Sequence, residues 1–148
     1  MERVQVVPDL SDPVTLPYWQ AAREGRLSMQ KCPACGFIRW TPQEECPECL
    51  ELGGEWVDLS GDGTIWSFVV YRRALNPDFP DVPYTVVQVE LAEGPIMAAR
   101  LLNEPEAARI GAGVRVVFTE VTDDVTLPNF ELSPAPAGAS RPSVGEAP

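Results

Sequence analysis

The chain has 148 residues, with 22 acidic side chains against 11 basic ones, a formal net charge of −11 and no histidine. So acidic a chain, with Lys31 as its single lysine and no basic run, argues against partners held through a phosphate backbone, because DNA or RNA binding needs Lys and Arg to replace counterions. No apolar stretch approaches the roughly 20 residues that span a bilayer, and 16 prolines with 11 glycines predict many turns and little long helix.

Residues 1–14 carry Pro8 and Pro13 and no consistent period, which predicts an extended arm. From Thr15 to Gly25 the chain reads as a short helix. Thr15 can cap it, Pro17 is tolerated in the first turn and Gly25 suits a left-handed stop. Leu16, Trp19 and Ala22, with Tyr18 beside them, form an apolar stripe that either covers the neighbouring module or docks a partner.

Segment 27–55 holds every cysteine of the chain, Cys32, Cys35, Cys46 and Cys49, as two Cys-x2-Cys pairs ten residues apart. Each pair turns two sulfurs toward a common centre, and the short gap lets a hairpin bring the pairs together around one tetrahedral ion. Four protein ligands leave no open position, so the site is expected to be structural and to leave no thiol for catalysis. Zinc and iron both accept four thiolates, and the spacing alone does not separate a zinc ribbon from a rubredoxin-type iron centre. Disulfides are disfavoured, because Met1 to Gln5 open no apolar signal run; a soluble protein of the reducing cytoplasm is expected. Gly36 follows Cys35, where a small residue lets backbone N–H groups approach the sulfurs, whereas Leu50 holds the matching place after Cys49. Phe37 and Trp40 are expected to shield the metal hairpin.

Beyond Trp56 the texture changes to strands. Thr64 to Tyr71 is rich in β-branched and aromatic residues, preceded by a turn or bulge at Gly61-Asp62-Gly63. Pro83 to Leu91 predicts a second strand and Ile96 to Leu102 a third. One or two helical turns capped by Asn103 follow, then strands at Val114 to Thr119 and Asn129 to Leu132. Three strands, a short helix and two strands is the order of an OB-fold, a five-stranded Greek-key barrel. The expected fold is therefore mainly β: an N-terminal arm and helix (1–26), a rubredoxin-like ribbon (27–55), an OB-fold barrel (56–132) and a disordered Pro/Ala-rich tail (133–148).

Catalytic groups are scarce. Without histidine, and with every cysteine assigned to metal, no nucleophile and base can be paired, so no catalytic residue is assigned. Asp123-Asp124 and Glu44-Glu45 are adjacent acids in turn-rich segments, where solvated carboxylates are the ordinary case.

A helix with Tyr18-Trp19, then Gly25-Arg26-Leu27 running into Cys32-Pro33-Ala34-Cys35-Gly36, then Cys46-Pro47-Glu48-Cys49 and an OB-like strand set, resembles the acyl-CoA-associated zinc-ribbon/OB-fold family, long labelled a domain of unknown function. The likeness covers about residues 15–132. It implies structural Zn²⁺ and a role as accessory subunit in a hetero-oligomer. The partner would be a thiolase-fold enzyme, either a thiolase or an aldolase that shortens steroid side chains, or else a hydratase of the hot-dog type. It further implies that the subunit stabilises this enzyme and helps shape a site for an acyl-CoA thioester.

The long connection between the first two strands is the candidate surface for acyl-CoA or partner, with Arg72, Arg73, Phe79 and Tyr84 as its residues, since OB-folds commonly bind through a loop in this position. Tyr18 and Trp19 are the candidate docking residues. An acidic chain has few cations for the phosphates of coenzyme A, which suggests that the partner supplies most of that charge while this chain lines the path of the acyl group or pantetheine arm. A free-standing acyl-CoA carrier and, further off, a nucleic-acid-binding ribbon/barrel module are the alternatives.

Overall fold

The computed structural model describes residues 7–134; residues 1–6 of the arm and most of the expected tail, from residue 135 on, lie outside the described residues. Helix α1 (Leu16–Arg23) begins with Pro17 in its first turn, where a missing N–H leaves no bond unmade. Thr15 occupies the N-cap but makes no side-chain capping bond; its carbonyl accepts from Tyr18 N–H at 3.0 Å. At the other end Gly25 adopts φ +76°, and the N–H groups of Gly25 and Arg26 donate to the carbonyls of Ala22 and Ala21 at 3.0 and 2.9 Å. This is the Schellman stop that a glycine permits.

Strand β1 (Leu27–Lys31) is the centre of a three-stranded antiparallel sheet, flanked by β2 (Ile38–Arg39) and β3 (Glu55–Leu59). Four of its five residues are buried, so both faces are covered. β3 pairs along its whole length with β1, Leu27 opposite Leu59 and Lys31 opposite Glu55. The boundary expected between residues 55 and 56 therefore falls inside a strand of the ribbon sheet.

Strands β4 (Asp62–Tyr71), β5 (Tyr84–Leu91), β6 (Ile96–Leu101), β7 (Gly113–Glu120) and β8 (Thr126–Leu132) close into a barrel in the order β4-β5-β6-β8-β7, with β4 returning to pair with β7. This is the expected five-stranded OB-type barrel. Two local details differ. The expected helix is a single 3-10 turn, Pro105–Ala107, and Asn103 does not cap it; its Oδ1 instead accepts from Leu132 N–H at 2.8 Å and ties the connection to β8. Of the turn or bulge expected at Gly61-Asp62-Gly63 the turn is what forms, Gly61 joining β3 to β4 at φ +83°, while the bulge lies at Trp66, between Ile65 and Ser67. Gly63 is paired in the ladder, and its missing side chain is what permits closure: a Cβ there would sit 2.6 Å from the Glu90 carbonyl oxygen.

Alternation along β5 sorts the barrel. Thr85, Val87, Val89 and Leu91 point inward and are buried, while Tyr84, Val86, Gln88 and Glu90 face outward. Ile65, Met97, Leu101, Val114 and Phe130 complete the interior, and Tyr18, Leu27, Met29 and Leu59 continue the same core under α1 and the ribbon. Among the described residues no helix is long and apolar enough to cross a membrane.

Candidate metal centre and ligand groove

The two Cys-x2-Cys loops are built alike. Cys32 N–H donates to the Phe37 carbonyl at 2.8 Å and Gly36 N–H to the Cys32 carbonyl at 2.9 Å; the second loop repeats this with Cys46 to Glu51 and Leu50 to Cys46, both at 2.9 Å. Each loop needs a positive φ after its second cysteine. Gly36 adopts +78° at no steric cost, whereas Leu50 adopts +66° and is, among the described residues, the one non-glycine in that region. The side chain of Leu50 is thereby left 71% exposed.

The four Sγ atoms lie within 4.8 Å of one another, with Cys32–Cys49 and Cys35–Cys46 each at 3.6 Å. A tetrahedron of sulfurs at about 2.3 Å from zinc has edges of about 3.8 Å, so the donor set fits such an ion. Cys32 and Cys46 are buried and Cys35 and Cys49 exposed, which places the centre at the edge of the ribbon. The Cys35 backbone N–H donates to Cys32 Sγ at 3.5 Å and draws that thiol down to about 6. Around Cys49 the Glu51 backbone N–H favours the thiolate, but burial and the three other sulfurs outweigh it and push the thiol up to about 12. Crowded thiols that keep a proton in the absence of a cation give it up when one binds.

Behind the second loop lies Arg39, only 1% exposed. Its Nε donates to Gln30 Oε1 at 3.0 Å and its Nη2 to the carbonyls of Gln43 and Gly53 at 2.8 Å each, so one guanidinium ties β1 to both stems of the loop that carries Cys46 and Cys49. Gly54 leaves room for it: a Cβ there would lie 2.7 Å from Nη2. Trp40, expected to shield the metal hairpin, is turned to the helix, its ring 4.6 Å from that of Tyr18.

A groove of about 640 Å³ opens where helix, ribbon and barrel meet. Tyr18, Trp19 and Trp40 form one end and Phe79, Tyr71 and Tyr84 another, with Val86 of β5 and Met97 to Arg100 of β6 between them. Tyr71 and Tyr84 are cross-strand partners with rings stacked 4.9 Å apart. Arg100, two positions out of register from Tyr84 on β6, lies diagonally opposite and places its guanidinium 5.3 Å above the Tyr84 ring. Burial raises the Tyr18 hydroxyl well above its ordinary range, so it stays a neutral donor at the groove wall.

Four of the residues singled out from sequence, Tyr18, Trp19, Phe79 and Tyr84, thus line one groove, whereas Arg72 and Arg73 are exposed on the β4–β5 connection and do not. Sequence reasoning missed Arg100. Its signal was present: a basic residue in the outward phase of an apolar strand, overlooked beside the more conspicuous Arg72-Arg73 pair. The lining carries this one cation together with Asp78 and Asp81. Glu44, Glu45, Asp123 and Asp124 are all exposed, as solvated carboxylates are.

Residues 19–53 match the rubredoxin-like zinc ribbon domain of ChsH2, and residues 56–119 match the ChsH2 C-terminal OB-fold domain. A DUF35 domain-containing scaffold protein of Methanothermobacter thermautotrophicus is 34% identical over 101 residues, covering 66% of this chain and 75% of that protein. The chain belongs to the DUF35 family of ChsH2-type zinc-ribbon/OB-fold proteins. Within that family, a chain of an Ltp2–ChsH2(DUF35) aldolase superposes with a TM-score of 0.75 at 31% identity, over 82% of this chain and 95% of that one. A DUF35 protein of unknown function from Sulfolobus solfataricus shares the fold, with a TM-score of 0.59 at 11% identity over 82% of this chain and 86% of that one. A probable enoyl-CoA hydratase alpha subunit from Thermomonospora curvata is 33% identical over 114 residues, which are 76% of this chain but 35% of the hydratase subunit; the chain spans about a third of that relative's length. The four cysteines are accordingly those of a zinc ribbon, and the chain is homologous to scaffold subunits and to the ChsH2 member of an aldolase.

Proposed function

We propose that this DUF35 protein is a non-catalytic accessory subunit that binds and stabilises a thiolase-like acyl-CoA enzyme, a steroid side-chain aldolase or a thiolase, and contributes a wall of its acyl-CoA site. The groove carries this reading. It is of the size of small-molecule sites and is walled by aromatic rings. It has no histidine, and the four cysteines are committed to the ribbon. Such a surface is suited to binding and orienting an apolar group, and it offers no thiol or imidazole nucleophile.

Electrostatics divide the ligand between the two proteins. One arginine in a lining that also carries two aspartates is a poor receptor for a diphosphate and a 3′-phosphate, so the partner supplies the phosphate-binding charge and this chain receives the apolar acyl group or the pantetheine arm. Likeness to the ChsH2 member of an aldolase supports a thiolase-fold partner; likeness to a hydratase subunit favours a hot-dog hydratase as the second reading. A free carrier would instead hold acyl-CoA tightly by itself.

Co-expression with thiolase-like and hydratase-like neighbours, followed by purification through a tag on this chain, tests the assignment. A thiolase-like enzyme co-eluting in fixed stoichiometry, active in the complex and inactive or unstable alone, is the expected result. Turnover by the isolated chain, or co-elution of neither enzyme, would overturn it.

A further inference from the structure

A second cavity, of about 610 Å³, lies between the first cysteine loop and the β5–β6 turn, lined by Gly36, Phe37, Ile38, Trp40 and the segment 93–96. The two cavities have one lining residue in common, Trp40. They also abut along β6, where Ile96 lines the second cavity and its neighbours from Met97 to Arg100 line the groove. Trp40 is therefore the side chain that both cavities share, and its ring packs on that of Tyr18 at 4.6 Å. The polar end of the groove is at Arg100, four residues along the same strand, or about 13 Å at 3.3 Å per residue. A ligand with its polar portion at Arg100 directs its apolar end at the Trp40 ring.

We propose that Trp40 is the end stop of the groove and sets the length of acyl chain it accepts, the second cavity being the space that a longer chain enters when the indole is removed. The inference rests on the acyl-binding reading of the groove and adds to it a residue that determines specificity. Its chemistry is apolar on both sides: Phe37, Ile38, Pro95 and Ile96 on one, Tyr18, Trp19 and Met97 on the other. A methylene chain passing Trp40 would meet apolar side chains on both sides of it.

Titration of the full-length, zinc-loaded chain in complex with its co-purified thiolase-like partner, using butanoyl-, octanoyl-, dodecanoyl- and hexadecanoyl-CoA, tests it, with Trp40→Ala as the principal variant. Trp40→Leu is the milder one, in case loss of the Tyr18 contact unfolds the ribbon. For the wild-type complex, affinity is expected to rise with chain length and then stop rising; in both variants it continues to rise, hexadecanoyl-CoA binding at least tenfold tighter relative to octanoyl-CoA than in wild type. An unchanged length profile in folded variants would overturn the role of Trp40 while leaving the groove assignment standing. Failure of the wild-type complex to bind any of the four would remove both.

Discussion

Replacing Arg39 by methionine removes the one side chain that holds β1 and both stems of the second cysteine loop together. The loss comprises three hydrogen bonds from a cation, at 2.8 to 3.0 Å, each worth about 1.5 to 3 kcal/mol. Against this, the guanidinium is 1% exposed and its Nη1 has no partner, so its removal returns a desolvation penalty of several kcal/mol. The Gln43 and Gly53 carbonyls are left without their donor, whereas Gln30 Oε1 keeps the Gln43 N–H at 2.9 Å. The net is a loss of about 2 to 5 kcal/mol, set by the two carbonyls left without a donor at about 1 to 3 kcal/mol each. The ribbon should feel it first. With zinc release followed by a chromophoric chelator across a urea series, the release midpoint of R39M is expected to fall by more than about 1 M, given slopes of about 1 to 3 kcal/mol per M. Near-UV circular dichroism of the barrel should respond at a higher concentration. Zinc release at the wild-type midpoint would refute the view that this guanidinium organises the metal loop.

Three other outcomes follow from the same geometry. Leu50→Gly relieves a left-handed leucine at an exposed site. It should raise the urea midpoint of zinc release by the equivalent of about 0.5 to 1 kcal/mol, strain relief exceeding the entropy cost of glycine; a lower midpoint contradicts it. Arg100→Ala should weaken acyl-CoA binding several-fold, while the double substitution of Arg72 and Arg73 by alanine leaves it unchanged, since only Arg100 lines the groove; equal effects in a fluorescence titration would count against the groove. Zinc loading should release protons at neutral pH. Cys49, held up at about 12, is protonated there without metal, while Cys32, drawn to about 6, is largely ionised. Acid therefore favours the metal-free chain, because protons compete for the sulfurs, and affinity rises with pH. Calorimetry in buffers of different ionisation enthalpy reads the proton count, and an uptake or zero release would contradict the sign.

What could be read along the chain was local in origin. Two Cys-x2-Cys pairs form their loops through bonds spanning a few residues, Gly25 ends α1 within its own turn, and runs of β-branched and aromatic residues between Gly- and Pro-marked turns give away the barrel strands. Those features point to the family and to a closed four-thiolate site before any long-range contact is known, without separating zinc from iron. The groove is of another kind. Its walls come from α1, the end of β2, the β4–β5 connection and the outer faces of β5 to β8, and strand register alone brings Arg100 over Tyr84, while Arg72 and Arg73, conspicuous as a pair, project elsewhere. Likewise the tie made by Arg39 depends on Gln30, Gln43 and Gly53 meeting across the ribbon sheet. Local sequence encodes the conformation of a loop or strand, because neighbouring side chains set its dihedral angles and its buried face; which surfaces then face one another follows from how the pieces pack, and that is decided only in the folded molecule.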